Sequence, residues 1–217
     1  MLVDVVVLLG AVILWELAHI VLLRRRLDLR ERQLRDVDEY GRRDSLTGVA
    51  NRAALIRALS SALEERRDVY AFLVDLDGFK EVNDSHGHPA GDMVLVTIAD
   101  RLAAALGEDA IFGRLGGDEF LVLEDAPARR FVQVVGDVFA TPIVTVDCRP
   151  VQVGASVGVE HVGRHRTADQ VLSATDRALY AAKYREDRSA DSACGRVVLA
   201  VPASNGWIRY PLGATQV

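Results

Sequence analysis

Cysteine is scarce in this chain: Cys148 and Cys194 are the two thiols among 217 residues. Two thiols cannot build a disulfide framework, and neither sits in a zinc-ligand spacing. No Ser or Cys is set up as a nucleophile, and there are no internal repeats or low-complexity tracts. Positive charge is also short. Lys and Arg number 26 against 31 Asp and Glu, which gives a net charge of -5 and a pI near 5.6. That balance argues against a nucleic-acid-binding surface. The positive groups concentrate just after a long apolar run at the N-terminus.

That run, Val5 to Leu23, is nearly continuous and about the length needed to span a bilayer core. Arg24, Arg25 and Arg26 follow at once, so the positive-inside rule predicts a cytoplasmic C-terminal side, with Met1 to Asp4 outside. A cleaved signal peptide is the weaker alternative, because the basic residues follow the run and no small-residue cleavage site is evident. Glu16 and His19 interrupt the run three residues apart, on one helix face. They fit either a polar patch pairing across a helix dimer or a peripheral, non-spanning helix. Residues 24–43 form a charged linker. Leu27 and Leu34 are seven apart, as in a heptad seam, which fits a short coiled coil or a solvated helix.

Two acidic motifs lie further on. Ala71 to Val74 reads as a buried strand running into Asp75-Leu76-Asp77-Gly78-Phe79-Lys80. Carboxylates at the end of a buried strand are costly unless paired or bound to a cation. Gly78 lets the chain turn, and its amide with those of Phe79 and Lys80 could cradle phosphate oxygens. Lys80 adds a mobile positive charge. Asn83 and Asp92 could read the donor and acceptor edge of a base, while Asp84 and Ser85 read as turn chemistry and capping. The second motif, Arg114-Leu115-Gly116-Gly117-Asp118-Glu119-Phe120, joins two predicted strands, Ile111 to Leu115 and Phe120 to Leu123. Its glycines allow a tight hairpin with Asp118 and Glu119 at the tip. Carboxylates there could bind a divalent metal, and one could act as a base.

With a third block, Asp44-Ser45-Leu46-Thr47-Gly48-Val49-Ala50-Asn51-Arg52, these motifs stand in the order and spacing of a known family. Across Asp44 to Lys183 the chain resembles the GGDEF-domain proteins, the diguanylate cyclases. The resemblance implies an α/β (α+β) nucleotidyl-cyclase-like fold, a central, mostly antiparallel sheet flanked by helices, here behind an N-terminal transmembrane helix. It implies condensation of two GTP to cyclic di-GMP and two pyrophosphates, by two domains facing each other. It implies Mg²⁺, with Mn²⁺ as an alternative, held by Asp75, Asp118 and the Leu76 carbonyl. Asp118 would be the general base, Glu119 its support, and Lys80 the group that steadies phosphate charge. The amides of Gly78 and Phe79 would hold the terminal phosphates. Asn83 and Asp92 would recognise guanine, and His88 would line the pocket or cap the helix starting near Pro89. Arg114 would anchor the hairpin.

The chain departs from the family in two places. The Arg-x-x-Asp of the inhibitory product site is replaced by Gly107-Glu108-Asp109-Ala110. After Asp176 to Lys183, which fits, the family's Gly-Arg-Asn is altered. Lys183 is then one phosphate contact, and the second is Arg188 or, after an insertion, Arg196. The expected organisation is a transmembrane helix over 1–23, a linker over 24–43, a catalytic domain over 44–188 and a tail over 189–217 in which Val197 to Val201 could add a strand. Helices are predicted over Ala53 to Arg67, Met93 to Leu106, Ala128 to Phe139 and Ala168 to Lys183, with a strand over Val151 to Val159. The expected setting is a bacterial inner membrane with the catalytic domain in the cytoplasm. The alternatives are a catalytically silent GGDEF domain acting as a GTP or cyclic di-GMP receptor, and a membrane-tethered scaffold.

Overall fold

A computed structural model describes His19 and residues 24–26, 41–107, 109–125, 128–145, 148–183, 197–203 and 206–212. Two units separate, Met1–Arg42 and Arg43–Val217. In the first, His19 and residues 24–26 are helical; the rest of the apolar run and most of the linker lie outside the described residues. Among the described residues no helix is long and apolar enough to cross a membrane.

The second unit follows the order α1 (Arg52–Glu64), β1 (Tyr70–Asp77), α2 (Phe79–His86), α3 (His88–Ala105), β2 (Ile111–Gly116), β3 (Glu119–Glu124), α4 (Ala128–Ala140), β4 (Ile143–Val144), β5 (Pro150–Val151), β6 (Gly154–His161), α5 (Ala168–Lys183), β7 (Val197–Ala203) and β8 (Gly206–Leu212). Six strands form one sheet in the order β2-β3-β1-β6-β7-β8, and β4 and β5 pair apart from it. Among the described residues, β6 and β7 are the one parallel pair of strands within the large sheet. The mostly antiparallel sheet expected from the sequence is therefore present.

Alternation along β1 divides the core. Phe72, Val74 and Leu76 pack with Phe120, Val122 and α3 and α4 side chains such as Ile98 and Phe131. Ala71 and Leu73 pack with Leu121, Leu123, Leu55 and Leu59 of α1, and Val171 and Leu179 of α5. Because helices cover both faces, β1 is buried along almost its whole length, which explains its unbroken apolar run. Asp75 and Asp77 share the parity of Leu73 and so face the α1 and α5 layer.

Several boundaries differ from the sequence expectation. Asp84 and Ser85 lie inside α2, because Val82 is buried and the helix continues until Gly87, at φ +80°, ends it. His88 is the first residue of α3 and Gly87 its cap, so His88 does not cap it with its side chain. The expected strand over Val151 to Val159 is two strands, since β5 pairs with β4 and β6 pairs with β1. The tail strand is longer than expected, and its partner β8 had no clear signal in the sequence.

Gly158 of β6 controls how closely α5 approaches the sheet. A Cβ there would stand 2.2 Å from the Thr175 carbonyl oxygen and 2.4 Å from the Leu179 amide nitrogen. Gly158→Ala should therefore push α5 outward and destabilise the fold by about 1–3 kcal/mol, the usual cost of overpacking a filled core. A lowered urea midpoint for the full chain would show this.

Candidate active site

The two acidic motifs meet at one end of the sheet. Asp75 pairs in register with Glu119 on one side and Ser156 on the other, and Asp77 pairs with Gly154. The Leu76 amide donates to the Asp118 carbonyl oxygen at 3.3 Å, tying β1 to the hairpin tip. The Ser156 hydroxyl donates to both Asp77 carboxylate oxygens, 3.0 Å each. Lys183, the last residue of α5, places Nζ 2.6 Å from Asp75 Oδ1. Asp75 is only 6 % exposed.

The hairpin is held from outside the sheet. Arg114 donates from Nε and a terminal nitrogen to the Gly117 carbonyl oxygen, at 2.9 and 2.7 Å. It also pairs with Asp44 at 3.1 Å. Asp44 accepts from the Thr47 amide and hydroxyl. Burial works to raise the Asp44 pKa, but Thr47 and Arg114 together bring it below the usual carboxylate value. The Arg114 amide donates to the Ala50 carbonyl oxygen at 2.8 Å, so the Asp44 to Asn51 turn is bound to β2. Asn51 then caps α1 by accepting from the Ala54 amide. Arg114 thus anchors the signature hairpin, as expected.

After β1, Gly78 takes a left-handed turn at φ +84° and α2 begins. Its first amides have no intrahelical partners and carry the positive end of the helix dipole. Lys80 is exposed in this turn. Asn83 lies on α2 against the α3 backbone, where a Cβ on Gly91 would fall 2.0 Å from its Oδ1. The neighbour of Gly91 is Asp92, exposed on α3. The structure therefore gathers Asp75, Asp77, Asp118, Glu119 and Lys183 into one cluster, puts Gly78, Phe79 and Lys80 directly after it, and brings Asn83 to the helix that carries Asp92. His88 is exposed at the start of α3. Arg188 and Arg196 lie outside the described residues.

Among the described residues, Asp75, Asp77, Asp118 and Glu119, with Asp176 close to Glu119, share the Lys183 ammonium. Burial raises the pKa of Asp75, with Lys183 opposing and Asp118 adding to the rise. Burial likewise raises Glu119, helped by Asp75, Asp118 and Asp176. Burial pushes Asp77 up to about 6 against the Ser156 hydrogen bond. Lys183 is raised: burial opposes this, but the bond to Asp75 and the surrounding acids outweigh it. Surplus negative charge on an all-oxygen donor set fits a hard divalent cation. Among the described residues no three His, Cys, Asp or Glu side chains could hold an ion by themselves. The donor set therefore fits a metal that also takes backbone and substrate oxygens. Ser156 is the participant that the sequence motifs did not single out; Asp77 stood in the first acidic motif without a role of its own, and the register of β6 against β1 gives it the Ser156 partner.

Residues 42–189 match the family described as diguanylate cyclase, GGDEF domain. The chain belongs to that family. It is 39% identical over 150 residues to the diguanylate cyclase TpbB of Pseudomonas aeruginosa, a match covering 64% of this chain and 34% of TpbB. It is 37% identical over 170 residues to an uncharacterized signaling protein of Caulobacter vibrioides, covering 72% of this chain and 21% of that protein. The chain thus spans between a fifth and about a third of the length of these two relatives. Among solved structures, a sensory box/GGDEF family protein from Caulobacter crescentus superposes with a TM-score of 0.61 at 36% identity, covering 65% of this chain and 97% of that one.

The raised Asp77 pKa fixes the sign of one pH effect. The folded chain binds this proton more tightly than the unfolded chain, whose Asp titrates near 3.8. The Asp77 contribution therefore costs stability as pH rises from about 4 through about 6. Asp77→Asn should keep the Ser156 bond and remove that cost. In chelator-treated protein without nucleotide, the variant should melt above the wild type at pH 7.5 and level with it near pH 3.5. A melting advantage that is equal at both pH values would contradict the assignment.

Proposed function

We propose that this chain is a membrane-anchored diguanylate cyclase that condenses two GTP into cyclic di-GMP and two pyrophosphates. The observation that carries the reading is the convergence of Asp75, Asp77, Asp118, Glu119 and Lys183 beside the left-handed turn at Gly78. Asp75, Asp118 and the Leu76 carbonyl would hold Mg²⁺, or Mn²⁺ in its place, which would supply neutralisation of phosphate charge. The Gly78 and Phe79 amides, Lys80 and Lys183 bind the terminal phosphates. Asn83 and Asp92 hold the guanine edge, and His88 lines the same pocket. The further phosphate contact is Arg188 or, after an insertion, Arg196.

The chemistry is an in-line displacement. The 3′-oxygen of one GTP bonds to the α-phosphorus of the other, the bond to the bridging oxygen breaks, and pyrophosphate leaves. Asp118 takes the hydroxyl proton, and Glu119 beside it positions the hydroxyl. Each domain brings one GTP, so the ring closes between two copies of the chain. Val5 to Leu23 anchors the protein in a bacterial inner membrane and Arg24 to Arg26 keep the catalytic domain cytoplasmic. The anchor and linker also raise the local concentration of one domain near another.

Full-length protein in detergent, given GTP and Mg²⁺, should produce cyclic di-GMP measurable by chromatography. Asp118→Asn should cut the rate by about a hundredfold or more, as expected on losing an acid/base group, with the circular dichroism spectrum preserved. A wild type that binds GTP but makes no product would favour the silent-receptor alternative.

Gly107 and Ala110 replace the guanidinium and carboxylate of the family's inhibitory site. Added cyclic di-GMP should therefore inhibit only weakly. Tight noncompetitive inhibition in an initial-rate titration would contradict this.

A further inference from the structure

Lys183 and the metal assigned above have claims on the same carboxylate. Nζ stands 2.6 Å from Asp75 Oδ1. Among the described residues no other ammonium or guanidinium pairs with Asp75, Asp77, Asp118 or Glu119. Asp75 is the most enclosed of these acids, and the close approach of α5 at Gly158 brings the helix end to it. A divalent ion takes carboxylate oxygens at about 2.1 Å. An ion on Asp75 would therefore be a near neighbour of the ammonium, and like charges at that range in a partly buried site repel strongly. The Lys183 side chain itself is 29 % exposed and sits at the last helical residue, so its four-carbon stem is free to swing toward another anion.

We propose that Lys183 is a tethered counterion that bars free divalent metal from Asp75 until nucleotide phosphates draw the ammonium away, so that metal and nucleotide enter together. This rests on the placement of the metal at Asp75 proposed above. Linkage makes the competition reciprocal: the factor by which the Lys183–Asp75 pair weakens metal binding is the factor by which bound metal weakens the pair. The pair serves two ends. It compensates a buried carboxylate in the nucleotide-free chain, and it keeps the site from filling with metal that has no substrate to act on.

The test is Mn²⁺ binding to the nucleotide-free full-length chain in detergent, read from the spin-resonance signal of free Mn²⁺. Wild type should bind weakly. Lys183→Gln should bind about tenfold more tightly or better, within the usual range of coupling between two sites. Lys183→Arg keeps a cation at the position and should stay weak. Adding Asp75→Asn to Lys183→Gln should abolish the gain. A non-hydrolysable GTP analogue should tighten Mn²⁺ binding to the wild type and narrow its gap to Lys183→Gln. Equal Mn²⁺ affinity in wild type and folded Lys183→Gln would overturn the proposal, as would a gain that survives Asp75→Asn. If Lys183→Gln does not fold, tight Mn²⁺ binding to the wild type without nucleotide would still overturn it. The cyclase assay decides the other reading separately. Product formation with no Mn²⁺ difference removes the counterion role alone, and an Mn²⁺ difference without product removes the cyclase reading alone.

Discussion

The burial of carboxylates at the end of β1 is the constraint around which the rest of the domain is arranged. Asp75 sits in the middle of a sheet, between Glu119 and Ser156, where an unpaired charge is expensive. Neighbouring acids on the hairpin add repulsion to that cost. Lys183 offsets it from the end of a helix more than a hundred residues further along the chain. That helix reaches the site because Gly158 leaves room for the Thr175 and Leu179 backbone. A core packing detail and an electrostatic requirement are thus one piece of design.

The same logic explains the hairpin. A two-glycine turn bearing two acids would be held weakly by its own backbone. Here Arg114 binds the Gly117 carbonyl and Asp44 at once. The Asp44 to Asn51 turn is in turn fixed to β2 through the Ala50 carbonyl. The Asp44 to Arg52 block of the sequence therefore serves the hairpin as a brace. Its Asp44, Thr47 and Asn51 side chains are occupied by backbone and side-chain partners within the domain. On the opposite face, Asn83 lies against Gly91, so the α2 and α3 helices bring two candidate base-reading groups onto adjoining surfaces.

Much of this was legible in the amino-acid order because it is local. The unbroken apolar run before Asp75 marks a strand covered on both faces. The paired glycines before Asp118 mark a tight turn, and the helical periodicity of Ala168 to Lys183 matches α5 end for end. The misreadings were also local in origin. Asp84 and Ser85 have turn chemistry, but the burial of Val82 holds them in a helix. The Val151 to Val159 alternation spans a change of partner, and the choice of partner is not encoded in alternation.

The sequence by itself determined which groups are available: acids at strand ends, a left-handed glycine, and a basic residue at a helix terminus. It also determined the family, because three motifs in one order are a property of the string. Only the tertiary structure decided which groups touch. Asp77 gained its Ser156 partner, and Lys183 gained Asp75, through sheet register and helix approach. These depend on contacts between residues 79 and 108 positions apart. Pairing at that separation is set by packing of the whole core, which no local pattern records.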